Sequence, residues 1–330
     1  MKVFAAFAAI LVLAATSTLA QDGQPVPQPP TPVFRSVSAL VALNVTVQDR
    51  TAKFIRDLQS ADFVVYEDGV KQDVRFFEST RVPVDLIVLL DTSASMRDKL
   101  ETVHDAASGF LKTLRPGDRG AVVSFANSVS VLQPLTDDQA LLQTALRSTE
   151  AKGSTCLNNA VYVALKQFGQ TARQDGDVRR QAIVILSDGA DTASLVTFDD
   201  VIALARRMRV SIYTVSLQSP LAAGLRGPLD HPGFDEADYA MKALAKETGA
   251  EAFFPVPSAL KAVYASIASE LASQYSIGYV PVNTQADGTF RRVNVQVVTR
   301  PDLRPRTRTG YTAGAAPLPA RHSVGGGEQK

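Results

Sequence analysis

From Val84 onward, short apolar runs alternate with stretches of helical period, and this alternation limits the fold more than any other feature of the chain. The runs are "VDLIVLL" (84–90), "GAVVSFA" (120–126), "QAIVILS" (181–187), "VSIYTVSL" (210–217) and "AEAFFPV" (250–256). They are too short for buried helices and too continuously apolar for strands with one wet face, so they read as strands covered on both sides. Amphipathic candidates lie between and after them, at about 98–114, 137–148, 156–169, 198–209, 235–248 and 258–273. "VSVLQPL" (129–135), behind the turn-like Asn127-Ser128, is expected to return beside 120–126 as an antiparallel edge strand. The pattern predicts an α/β fold with a doubly wound, mainly parallel sheet, which binds ligands at the carboxyl ends of its strands.

The flanks read differently. "SVSALVALNVTVQD" alternates Val41, Leu43, Val45 and Val47 with smaller or polar residues, the period of a half-buried strand. "DFVVY" and "VKQDVRFF" flank "EDG", a tight-turn signal, and "YSIGYVPV" and "FRRVNVQVV" flank the glycine-marked "NTQADGT". Residues 33–80 and 275–312 are therefore expected to be antiparallel β segments that pack together as a smaller β unit, with 83–274 inserted between them. Ahead of them, 21–32 is a proline-rich linker, and 313–330 is expected to be disordered. Residues 1–20 carry Lys2, an apolar stretch from Val3 to Ala15 and a small-residue end, the pattern of a cleaved secretory signal peptide. A secreted or periplasmic protein is expected, with no membrane span, since that apolar stretch is short of the roughly 20 residues a span needs and no later one is longer.

Charge and cysteine content exclude several classes. Lys plus Arg total 34 against 33 acidic residues, so no global field favours nucleic acid or an anionic membrane. Cys156 is the sole cysteine and forms no internal disulfide, which leaves stability to packed cores.

Three loops carry the candidate chemistry. "DTSASM" places Asp91, Ser93 and Ser95 at the carboxyl end of the first core strand, "KGSTCLNNAV" places Thr155 at a helix start, and "ILSDGAD" places Asp188 after another core strand. Each has an ordinary alternative. Ser95 with Asp98 makes a capping-box pattern, Thr155 is a good helix cap, and Asp188-Gly189 is a turn signal. Their conjunction at strand ends favours a site of oxygen ligands for a hard cation.

The three-loop motif resembles the metal-ion-dependent adhesion site (MIDAS) of the von Willebrand factor type A (VWFA) domain, a Rossmann-like fold, over roughly 83–274. That pattern is Asp-x-Ser-x-Ser, then a Thr, then an Asp, matched here by Asp91, Ser93, Ser95, Thr155 and Asp188. Ala94 and Ser154 stand where many members carry glycine. The resemblance implies that these five residues hold Mg²⁺, or Mn²⁺ or Ca²⁺, and that a protein ligand's Asp or Glu carboxylate completes the shell. The flanks, with "DFVVYEDG" (62–69) and "RTGY" (308–311), resemble a bacterial family of secreted VWFA-related proteins found notably in Acidobacteria.

Other chemistries find less support. Aspartate-based phosphotransfer calls for a second carboxylate that "DTS" does not supply. Cys156 reads as a buried small apolar residue, and His104, His231 and His322 form neither a triad nor a zinc pattern. Arg304, Arg306 and Arg308, at period two, read as the charged face of a protected edge strand. The expectation is an extracytoplasmic binding or adhesion module, not an enzyme. A structural envelope module with a loop-stabilising metal, and a metal-assisted hydrolase, are the alternatives.

Overall fold

The computed structural model describes residues 40–79, 82–171, 179–188, 191–217 and 236–314. The predicted signal peptide, the linker and the predicted start at Val33 lie outside them. Strand β5, Val84–Asp91, is buried along its whole length. It runs parallel to β6, Arg119–Phe125, on one side and to β8, Arg180–Ser187, on the other. With β7 (Val129–Thr136), β9 (Val210–Ser216) and β10 (Ala252–Phe253) they form a six-stranded sheet of order β10-β9-β8-β5-β6-β7. Only β7 is antiparallel, as its turn-like entry predicts. Strand β10 is shorter than its apolar run suggests, because Pro255 and Pro257 cannot donate to a ladder.

Alternation along each strand separates two cores. Leu86, Val88 and Leu90 face helices α1 (Leu100–Leu111) and α2 (Gln139–Arg147), together with α6 (Leu260–Leu271). Ile87 and Leu89 face α3 (Leu157–Thr171), α4 (Phe198–Arg207) and α5 (Glu236–Thr248). Asp85 is also buried on β5, and its carboxylate is met by Arg119 at 2.9 and 2.8 Å and by Arg179 at 2.7 Å, as a buried charge requires. The chain leaves β5 toward β6 and later returns to β8 on the opposite side. The carboxyl ends of β5 and β8 therefore border the crevice where the strand order reverses. No helix among the described residues is long and apolar enough to cross a membrane.

The flanking strands build two four-stranded antiparallel sheets, and each draws strands from both sides of the α/β segment. One has the order β13 (Arg304–Arg306), β1 (Val41–Gln48), β11 (Tyr275–Tyr279), β4 (Val74–Glu78). The other has β14 (Gly310–Thr312), β12 (Phe290–Val297), β2 (Phe63–Glu67), β3 (Val70–Gln72). Val41, Leu43, Val45 and Val47 all point into their shared core, as the period-two pattern predicts.

Three expectations need correction here. The "EDG" hairpin joins β2 to β3, but the chain then breaks at Asp73 and β4 pairs in the other sheet. Likewise β11 and β12 do not form a hairpin: residues 280–289 carry the chain from one sheet to the other. The glycine marks a local reversal, whereas hairpin loops are usually 2–5 residues long. Disorder is predicted from 313, but Ala313 is buried and donates its amide to the Thr289 carbonyl at 2.9 Å, and 315–330 lie outside the described residues.

Glu67 explains why the two flanking motifs occur together. Its carboxylate accepts from Tyr279 at 2.7 Å and from Tyr311 of "RTGY" at 2.9 Å, and pairs with the buried Arg291 at 3.2 Å. One side chain thus ties β2, β11, β12 and β14 together. Glu270, near the end of α6, plays a similar part at the boundary with the α/β segment. It accepts from Thr46 at 3.2 Å and from Tyr213 at 2.9 Å, and pairs with Arg306 at 2.5 Å. Arg306, read from the sequence as a solvent-facing edge charge, is therefore turned inward.

Replacing Glu67 with Ala removes the buried partner of Arg291 and leaves it the partly exposed Asp287 at 3.9 Å and the carbonyls of Asn283 and Gln285, so a loss of about 2–4 kcal/mol is expected, toward the lower end of that for breaking a buried pair. Guanidinium unfolding with hydrogen exchange read on β2 and β12 measures this. A loss below 1 kcal/mol would contradict it.

Candidate functional site

The loop after β5 is built around a buried carboxylate. Asp91 has no exposed surface. One of its oxygens accepts the Ser93 amide at 2.8 Å and the other accepts the Ser187 hydroxyl, from the end of β8, at 2.5 Å. Burial pushes the Asp91 carboxyl above the usual range, the bonds from Ser187 and Ser93 oppose that shift, and the nearby charge of Asp188 adds to it. From Ser93 the cluster continues outward: the Ser93 and Ser95 hydroxyls are 3.0 Å apart, and Ser95 donates to Asp188 at 2.7 Å. Asp91, Ser93, Ser95 and Asp188 therefore form one hydrogen-bonded chain, joined through the Ser93 amide and then through the two serine hydroxyls, buried at Asp91 and exposed at Ser95.

Thr155 is brought close by the backbone, not by a side-chain bond to these four. Ala94 donates to the Gly153 carbonyl at 3.0 Å and Lys152 to the Thr92 carbonyl at 2.7 Å, which stitches the second loop to the first. The Thr155 backbone is held in turn by the 191–196 segment, its carbonyl accepting from Thr192 at 2.9 Å and from Ala193 at 3.1 Å.

The capping alternatives fail on this geometry. Neither the short 3-10 turn Ala94–Met96 nor α1 receives a side-chain cap, and Ser95 spends its hydroxyl inside the cluster. At the start of α3 the exposed amides are met by other residues: Asn158 donates to Asp191 at 2.7 Å and Asn159 to Ser194 at 3.0 Å. The hydroxyls of the first two loops are thus not consumed in holding helix ends.

Two residues of the site lie outside the sequence motif. Ser187, which orients Asp91, is the residue before Asp188 in "ILSD"; on a strand buried from Ala182 onward, a hydroxyl at the last position is the one signal for it. Lys99 places its ammonium on Asp188, opposite the oxygen that Ser95 uses. It stands eight positions after Asp91, at a spacing that a reading of oxygen ligands passes over.

The two departures from glycine are conformationally neutral, because neither Ala94 nor Ser154 has a positive φ. Gly153 does, at +81°, and a Cβ there would lie 2.6 Å from the side-chain oxygen Oδ1 of Asn127, which accepts the Ser154 amide at 2.6 Å. Cys156 is buried, and burial raises its thiol above the usual range, so it packs as a small apolar group. His104 contacts Thr149 at 2.5 Å at the α1–α2 boundary, away from this cluster.

Residues 86–190 match the family model of the von Willebrand factor type A domain, and the chain carries a domain of this class. The match includes Asp91, Ser93, Ser95, Thr155 and Asp188. A UPF0353 protein of Mycolicibacterium paratuberculosis is 33% identical over 113 residues, covering 32% of this chain and 34% of its own. An uncharacterized protein of Borreliella burgdorferi is 26% identical over 145 residues, 41% of each. The chain thus spans well under half of these curated relatives. Among solved structures, von Willebrand factor type A from Catenulispora acidiphila is similar, with a TM-score of 0.47 and 13% identity over 80% of this chain and 71% of that one.

Replacing Gly153 with Ala is expected to lower stability by at least about 1–2 kcal/mol, because it places a Cβ at positive φ against Asn127. Thermal unfolding of the variant checks this, and an unchanged midpoint would show that the loop accommodates the side chain.

Proposed function

We propose that this protein is an extracytoplasmic, metal-dependent protein-binding module. In this reading Ser93, Ser95 and Thr155, with Asp91 and Asp188, hold a Mg²⁺ or Mn²⁺ ion, and a partner's Asp or Glu side chain binds there. The observation that carries the reading is the Asp91–Ser93–Ser95–Asp188 chain at the switch-point crevice, whose hydroxyls cap no helix. An all-oxygen donor set of hydroxyls and carboxylates suits a hard cation. A cation is already drawn to the cluster, since Lys99 places its ammonium against Asp188.

When bound, the ion would supply a positive centre that three neutral hydroxyls neutralise only in part and that an external carboxylate can approach. The chain's own residues do the positioning. Ser187 and the Ser93 amide fix the Asp91 carboxylate, and the Gly153 carbonyl holds the Ser93–Ser95 turn through Ala94. Asp188 is held from both sides, by Ser95 and Lys99. Binding is favoured over turnover because both Asp91 oxygens are committed to donors, which leaves the carboxylate poorly placed as a nucleophile. The extracytoplasmic setting rests on the pattern of residues 1–20.

Calorimetric titration of Mg²⁺ and Mn²⁺ into the metal-stripped protein is expected to give saturable binding, weakened at least about tenfold, or 1.4 kcal/mol, in Ser93→Ala and in Asp188→Ala. Equal binding by the wild type and both variants would place the metal elsewhere and sink the proposal. The Lys99 ammonium competes for an oxygen of Asp188, so Lys99→Met is expected to bind the ion more tightly, by up to about tenfold. Weaker binding in Lys99→Met would instead make the lysine a support of the site.

A further inference from the structure

The α/β domain and the β-sandwich enclose a cavity of ≈ 240 Å³ at the amino ends of β8 and β9, across the sheet from Asp91 and Asp188. Its walls combine apolar side chains, among them Leu40, Phe76 and Met208, with five arginines. Leu40 and Phe76 are more exposed than large apolar residues usually are, at 38% and 39%.

Three of the arginines have structural employment. Arg179 is bound to Asp85 at 2.7 Å, and Arg206 to Glu247 at 3.0 Å. Arg180 donates to the carbonyls of Leu271 and Gln274 at 3.3 and 2.7 Å, and to the Ser276 hydroxyl at 3.3 Å. Glu247, the acidic residue of the wall, is also held by Thr309 at 2.8 Å.

Arg209 and Arg308 differ. Among the described residues neither is paired with a carboxylate. Arg209 is exposed at the mouth, and Arg308 lies farther in with its guanidinium over the Tyr311 ring, 5.4 Å from the centroid. The Arg308 Nε is buried without a hydrogen-bond partner. Burial, and then the charge of Arg209, lower the Arg308 guanidinium to about 10. Two like charges beside one apolar cavity repel each other until an anion lies between them. A guanidinium presents a planar fork of donors matched to carboxylate and phosphate oxygens.

We propose that this cavity binds a small amphipathic organic anion, with its oxyanion held by Arg308 and Arg209 and its apolar body against Leu40, Phe76 and Met208. The volume, below the roughly 300–1,000 Å³ of drug-sized sites, limits the occupant to a short-chain molecule. The site is independent of the proposed metal centre and uses none of its residues.

The test is calorimetric titration of the full chain at constant chloride with hexanoate, hexyl phosphate, inorganic phosphate and hexanol, each with and without chelator. Saturable binding of hexanoate or hexyl phosphate is expected, at least tenfold tighter than inorganic phosphate, absent with hexanol and unchanged by chelator. Preference between hexanoate and hexyl phosphate distinguishes a carboxylate from a phosphate head group. Arg308→Gln and Arg209→Gln are each expected to weaken binding at least tenfold, whereas Arg207→Gln, exposed on α4 outside the cavity, leaves it unchanged. Should Arg308→Gln fail to fold, Arg209→Gln at the exposed mouth decides alone. The proposal is overturned by no saturable binding to the wild type at millimolar ligand, by equal binding of hexanol, or by binding that survives Arg209→Gln undiminished.

Discussion

A carboxylate with no exposed surface has to be met by donors from its own neighbourhood, and Asp91 imposes that requirement where the sheet's order reverses. Its two oxygens recruit the amide of its own loop and the hydroxyl that ends β8. The carboxyl ends of β5 and β8 are thereby fixed together, which places Asp188, the next residue after Ser187, within reach of Ser95. The strand pairing of β5 and β8 is in register up to Leu90 and Leu186, so the site begins where the ladder stops. Side chains released from the sheet at that point converge because the backbone beneath them is already aligned.

The same logic recurs where the two flanks close on each other. Glu67 and Glu270 are buried carboxylates whose partners come from distant parts of the chain: Tyr311 and Arg291 for one, Thr46 and Arg306 for the other. Glu270 sits on α6, which runs directly into β11, and Arg180 at the start of β8 holds the carbonyls of Leu271 and Gln274. Sliding α6 along its axis would break all of these bonds at once. The end of the α/β segment is therefore anchored to the sandwich by charge-assisted bonds as well as by chain connection.

Much of this was legible in the sequence because it depends on period. Strands buried on both faces, the antiparallel return of β7 and the inward set Val41, Leu43, Val45 and Val47 follow from which positions are apolar. The four-residue oxygen cluster was legible because strand ends converge in any doubly wound sheet. Information that depends on which sheet a strand joins was not legible. "NTQADGT" announces a reversal, yet no local signal says that β12 leaves the sheet of β11. Nor does an arginine at period two reveal whether it meets water or a carboxylate: Arg304 is exposed, while Arg306 reaches Glu251 and Glu270. The role of Lys99 is not legible for the same reason, since its partner Asp188 is fixed by strand order and not by sequence distance.

The arrangement also resolves how a chain of almost balanced charge can present strong local fields. With 34 basic and 33 acidic residues, the charges largely cancel over the whole molecule. They do not cancel along the sheet. Asp91 and Asp188 lie at the carboxyl ends of the central strands, with Lys99 against Asp188, whereas Arg179, Arg180 and Arg209 lie at the amino ends, with Asp85 against Arg179 and Glu247 in the cavity wall. Screening at physiological salt acts over about 8 Å, so each end of the sheet is felt by what touches it and hardly at all by the other. The proposed metal and anion sites are for that reason each governed by contact geometry, and a cation at one end does not preclude an anion at the other.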